Sequence, residues 1–153
     1  MSARARSLAV ALRRDSGIEC PPVPSSIVEK LSTRVWVRER ELPRGLSGAL
    51  VRDGDYGAVI WLRAGENAAR HRFTLFHEVG HLLLHTTAVC FQVDSRRANL
   101  IEREADSFAV ELLMPKQWLW RDLAVIGSDL PVLAARYGVS TAAMRRRFKE
   151  LGL

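Results

Sequence analysis

The sequence predicts an α+β fold in which a small antiparallel sheet packs against a metal-bearing helical core, with helix-turn-helix-like helices at the C-terminal end. Three observations predict it. The apolar stretch Phe73 to Leu84 holds His77 and His81 one helical turn apart. The stretch from Ile101 to Pro115 has apolar residues at helical spacing. Ahead of both, two strand-like runs flank Asp53-Gly54-Asp55, a hairpin signal.

Taken in order, residues 3–14 read as an amphipathic helix that ends near Asp15 and Gly17, and Pro21-Pro22-Val23-Pro24 forms a stiff connector. Ser25 or Ser26 then caps a short helix running to Leu31. Val35, Trp36 and Val37 are strand-like. The runs 48–52 and 56–62 supply the two arms of the hairpin.

The next element carries the chemistry. Within Phe73 to Leu84 the segment His77-Glu78-Val79-Gly80-His81 is an H-E-x-x-H motif. Positions i and i+4 share one helix face, about 6 Å apart along the axis, so both imidazoles can reach one metal ion. Zinc held by two histidines and a carboxylate keeps a position open and lowers the pKa of water there to about 7. Glu78 is the candidate general base for that water. His85 continues the series, but it lies about 12 Å along the axis from His77, too far to share the ion. It is read as a helix-end histidine near the last carbonyls, with a role behind the ligands or facing the substrate as the other reading. His71 is read as a surface residue of the first turns.

In the following helix Ile101, Ala105, Phe108, Ala109 and Leu112 form an inward stripe. Glu102 and Asp106 flank it four residues apart, whereas Glu104 lies about 200 degrees round from Glu102 and faces away. Glu102 is therefore the third metal-ligand candidate. Asp106, one turn on, is assigned to the free N–H of His77, because such carboxylates fix the tautomer of a ligating histidine.

After Pro115 the pattern returns to helices, with Gly127 and Gly138 as stops and Ser128 and Ser140 as caps. Ala134, Gly138 and Val139-Ser140 resemble a helix-turn-helix, and Arg145 to Arg147 could meet phosphates. Against this, Arg147 stands where such motifs take an apolar residue. Direct DNA binding is the weaker reading.

The whole chain, 153 residues and 48% hydrophobic, suits one compact domain. Its net charge is +6, with much of the excess at Arg4, Arg6, Arg13 and Arg14 and again at Arg136, Arg145, Arg146, Arg147 and Lys149. Such clusters attract nucleic acid or acidic protein surfaces, or are simply solvated helix faces. Cys20 and Cys90 are too few for a disulfide framework and form no C-x-x-C pattern. No apolar run approaches the roughly 20 residues of a membrane span, and Ser7 to Leu12 is too short and Arg-flanked for a secretory signal. The expectation is a cytoplasmic protein without membrane partners.

The string from Arg70 to His85, together with Glu102 to Asp106, Phe108-Ala109 and Leu112 to Pro115, resembles the core of the ImmA/IrrE metallopeptidase family. Resemblance extends to Pro21 to Pro24, Leu46 to Gly48 and Val139-Ser140. His71 and Phe76 stand where other residues are commoner in that family. It implies a zincin-like, thermolysin-like domain over residues 1–126 and a helix-turn-helix-like extension of the same compact domain over 127–153. It also implies one Zn2+, or another divalent ion such as Mn2+, on His77, His81 and Glu102, with Glu78 catalytic. The implied activity is endoproteolysis of a bacterial helix-turn-helix repressor of a mobile element or stress regulon, the repressor being a separate chain. The alternative from another class is a metal-binding anti-repressor or DNA-associated regulator that acts without proteolysis. Tyr137, His85 and several arginines are the candidates for stabilising the oxyanion.

Overall fold

The computed structural model describes residues 2–85 and 95–153; expectations for Cys90 fall outside them. Helix α1 spans Ala3–Asp15, with the hydroxyl of Ser2 accepting from the Ala5 amide at its start. A 3-10 turn follows at Ser25–Lys30. Neither serine caps it: Pro24 occupies the cap position and no side chain bonds the turn. Strands β1 (Val35–Arg40), β2 (Gly48–Asp53) and β3 (Gly57–Arg63) come next, and a 3-10 turn at Gly54–Tyr56 closes the β2–β3 hairpin.

The hairpin is antiparallel, as its turn residues require, with Asp53 opposite Gly57. The sheet as a whole is mixed, because β1 joins the far side of β3 in parallel, in the order β1-β3-β2. Turn chemistry specifies only sequence neighbours, so it could not say which strand takes the middle. Composition decides that: Ala58, Ile60 and Leu62 of β3 are buried, whereas β1 and β2 end in charged, exposed residues suited to edges.

Helix α2 (Ala68–Leu84) packs against the sheet and against α3 (Ser95–Leu113), and α1 lies along α3. Glycine allows the close approach of α2 and α3, since a Cβ on Gly80 would sit 3.0 Å from the Cα of Ala105. Ala5 and Ala9, both fully buried, do the same for α1. The core between these layers holds Phe76, Val79, Phe108, Leu112, Leu133, Tyr137 and Met144.

Helices α4 (Lys116–Ile126), α5 (Leu130–Tyr137) and α6 (Thr141–Leu151) complete the chain, stopped after α4 and α5 by Gly127 and Gly138 as expected. Ser140 caps α6. Asp129 rather than Ser128 caps α5, accepting from the Val132 amide at 3.1 Å. Both side chains can cap; the helix begins one residue later than the serine would set it. Helices α5 and α6 form the expected helix-turn-helix-like tail, but the terminal cations are divided by burial. Arg13 and Arg147 are 6% and 1% exposed, and both reach α3: Arg147 pairs with Glu111 at 2.8 Å, and Arg13 donates to the Leu112 carbonyl at 3.2 Å. Arg145, Arg146 and Lys149 stay exposed. No helix among the described residues is long and apolar enough to cross a membrane.

Candidate metal centre and active site

Asn67 starts α2 by accepting from the Arg70 amide at 2.9 Å, which sets the rotation of the helix that follows. One face of α2, including Phe76 and Val79, fills the core, and His77 and His81 face α3 beside it. Glu102 on α3 meets both: its two oxygens lie 3.2 Å from Nε2 of His77 and 3.3 Å from Nε2 of His81. The two Nε2 atoms stand 3.0 Å apart. One donor atom from each of the three residues thus falls within 4.8 Å of the others. Two imidazole nitrogens and a carboxylate are the donor set of zinc sites that keep a position open, so these residues fit a divalent ion.

Both imidazoles turn Nδ1 away from that centre, and each Nδ1 has a partner. Asp106 Oδ1 lies 2.9 Å from Nδ1 of His77, the pairing expected from sequence. His81 Nδ1 lies 3.2 Å from Nδ1 of His85, whose Nε2 is 3.1 Å from Glu104 Oε2. His85 therefore stands behind His81. The carbonyls at that helix end go instead to Arg52 of β2, which donates to His81, Leu82 and His85. His71 is not a plain surface residue: its Nε2 lies 2.6 Å from the Arg63 carbonyl, tying α2 to the end of β3.

Glu78, only 8% exposed, lies on the wall of the same cleft as His77 and Glu102. The cleft is about 360 Å³, bordered by Gly45 to Gly48 before and at the start of β2 and by Arg70, Phe73 and Arg146. Strand and carboxylate are in close contact, for a Cβ on Gly48 would meet Thr74 Cγ2 at 2.4 Å and Glu78 Oε1 at 3.0 Å. Of the oxyanion candidates, Tyr137 is buried in the core and His85 is screened by His81, while Arg70 and Arg146 line the cleft.

Burial pushes the Glu78 carboxyl above its ordinary range, opposed by His77 and His81. For His77, burial acts downward, but hydrogen bonds to Asp106 and Glu102 outweigh it and push the imidazole up to about 9. Those two histidines hold Glu102 well below the usual carboxylate range. Without metal, His77 is thus protonated at neutral pH, and an incoming cation must displace that proton. Metal affinity is expected to rise roughly tenfold per pH unit for that one proton, up to about pH 9, in chelator-buffered titrations at pH 6.5, 7.5 and 8.5. The metal-free protein has the opposite dependence: the raised His77 pKa contributes stability that is complete below 6.5 and lost as pH rises through about 9.

Sequence reasoning missed the parts of the centre contributed by Arg52, Glu104 and Ser2. Glu104, expected to face away from Glu102, reaches the next histidine of the same α2 series, His85. The i+4 spacing of His81 and His85 was the available signal; which carboxylate meets His85 depends on how α2 and α3 pack, which spacing within one helix does not reveal.

Residues 33–149 match the model of the family described as Peptidase_M78, IrrE N-terminal-like domain. No curated protein matches the chain. A solved structure described as a Mycobacterium tuberculosis transcriptional regulator superposes with a TM-score of 0.69 at 15% identity, a likeness of fold. The match covers 96% of this chain and 46% of that one, so the chain spans about half the length of that regulator.

Proposed function

The chain belongs to the Peptidase_M78 family, IrrE N-terminal-like domain, and from that membership we propose that it is a zinc-dependent endopeptidase whose substrate is a bacterial helix-turn-helix transcriptional repressor. The observation that carries the enzymatic half is the convergence of His77, His81 and Glu102 within 4.8 Å, with buried Glu78 on the wall of the same open cleft. A cation bound there supplies Lewis acidity, activating water and polarising the scissile carbonyl. Glu78 accepts the proton of the attacking water and returns it to the leaving amine. Asp106 holds His77 in the tautomer that directs Nε2 at the centre. Arg70 and Arg146 are the cleft cations able to stabilise developing negative charge.

Strand β2 suits the binding of an extended peptide. Among the described residues it is an edge strand, and its start borders the cleft. The Arg63 amide donates to the Ser47 carbonyl, so by antiparallel alternation the backbone groups of Gly48 and Leu50 face the side away from β3. A substrate strand added there runs its backbone past Glu78. Beside it a pocket of about 370 Å³, walled by Phe73, Val110, Met114 and Ala143, has room for an apolar side chain.

The closeness of β2 to the base yields a test. Gly48→Ala has no room without moving Thr74 or the strand, so Glu78 shifts from its working position. Misplacement on the ångström scale can cost about 10²-fold. A loss of peptidase turnover approaching that size is expected in Gly48→Ala, with metal content unchanged by elemental analysis.

The repressor half draws on the family and on the regulator whose fold this chain resembles. It is tested by incubating zinc-loaded protein with recombinant helix-turn-helix repressors and reading products by mass spectrometry. Cleavage at a discrete internal bond is expected. Repressors that leave their operators uncut would instead favour an anti-repressor acting by binding alone.

A further inference from the structure

We propose that His85 and Glu104 form a relay that fixes the tautomer of His81 and that Ser2 ties this relay to the first helix. The inference rests on the reading of His77, His81 and Glu102 as metal ligands. Its basis is a row of polar contacts across three elements: His81 Nδ1 to His85 Nδ1 at 3.2 Å, His85 Nε2 to Glu104 Oε2 at 3.1 Å, and Ser2 Oγ to Glu104 Oε1 at 3.0 Å.

Only one arrangement of protons satisfies the row when His81 gives its Nε2 lone pair to a metal. His81 then carries its proton on Nδ1 and donates it to His85. His85 must accept at Nδ1, so its own proton sits on Nε2 and is donated to Glu104. The second carboxylate oxygen accepts from the Ser2 hydroxyl. Reversing either imidazole would set N–H against N–H, or a lone pair against the carboxylate.

The two ligands are therefore supported differently. His77 meets its carboxylate, Asp106, directly at 2.9 Å, whereas His81 is too deep along α2 and uses a second ring as spacer. His85 is placed for this because Arg52 holds the end of α2 by donating to the carbonyls of His81, Leu82 and His85. The side chain of His85 is 9% exposed, so water has little access to replace it as acceptor. Ser2 is also the cap residue of α1, which packs along α3, so docking of the first helix and orientation of His81 are joined through Glu104.

The test is zinc affinity, measured by competition with a chromophoric chelator, on wild type, His85→Phe, Glu104→Ala and the double variant. Each single substitution is expected to weaken zinc binding about 10- to 100-fold. The double variant is expected to be no weaker than His85→Phe, because Glu104 acts only through that ring. His85→Gln, which offers a carbonyl acceptor to His81, should recover most of the loss and serves also if the phenylalanine variant fails to fold. Single variants within twofold of wild type, or losses that multiply in the double variant as a simple charge effect would give, overturn the relay. Wild type that takes up no zinc at all removes the metal reading, and the relay with it.

Discussion

Glu78→Gln is expected to lower peptide-bond cleavage by about 10²- to 10⁴-fold while leaving bound metal unchanged. The amide matches the carboxylate in shape, so the contact with Gly48 and the packing of α2 are kept. It cannot accept the proton of water, and it is not among the three residues whose donor atoms converge. The pH profile gives a second reading of the same group. The base works only when ionised, so activity should fall with acid as the Glu78 carboxyl takes up its proton; burial raises that carboxyl, and the positive charge of a bound metal opposes the rise. Assays of kcat/KM against pH on wild type, with elemental analysis of the variant, check both. A glutamine variant that cuts as fast as wild type would remove Glu78 from the chemistry.

The second large effect is on stability. Glu111→Ala is expected to destabilise the fold by about 3 kcal/mol, because it takes the nearest carboxylate from a buried guanidinium and leaves it Glu150, at 3.7 Å. Arg147, 1% exposed, donates to Glu111 at 2.8 Å and to the Met114 carbonyl at 3.0 Å. From α1, Arg13 donates to the backbone carbonyls of Glu111 and Leu112 and Arg6 lies 3.5 Å from the Glu111 carboxylate, so α1, α3 and α6 meet around one residue. A loss of that size is a large share of the roughly 5–15 kcal/mol that holds a domain folded. Denaturant unfolding of the metal-free protein measures it, and a change below about 1 kcal/mol would show the network to be marginal. Replacing Glu111 and Arg147 together by apolar residues should cost less than Glu111→Ala alone, since a buried charge is then removed with its partner.

This network also marks where the sequence stopped being legible. Arg147 was visible as a misfit at a position that takes an apolar residue in helix-turn-helix motifs, but its partner lies 36 positions earlier, on another helix. Nothing in a charge run says which of its members turns inward. The cluster of His77, His81 and Glu102 was easier to read because most of its constraints are local. His77 and His81 are joined by i+4 spacing, and the inward stripe of α3 fixes the side on which Glu102 and Asp106 emerge.

The β2–β3 hairpin was local too, written in its Asp-Gly turn. The placement of β1 on the far side of β3 was not, because strand order depends on which run gains most from burial. Likewise the i+4 step to His85 was plain, while its pairing with Glu104 required the packing of α2 on α3, where Gly80 meets Ala105. What spacing along one element encodes could be read; what arises where two elements meet could not.

Whether His77, His81 and Glu102 hold one metal ion is decided by elemental analysis of the purified protein, with His77→Ala and Glu102→Gln alongside. Close to one equivalent of zinc, or of another divalent metal, is expected in wild type, and its loss from both variants. Wild type that carries no metal and takes none up when zinc is added, or variants that retain it in full, would remove these three residues as ligands.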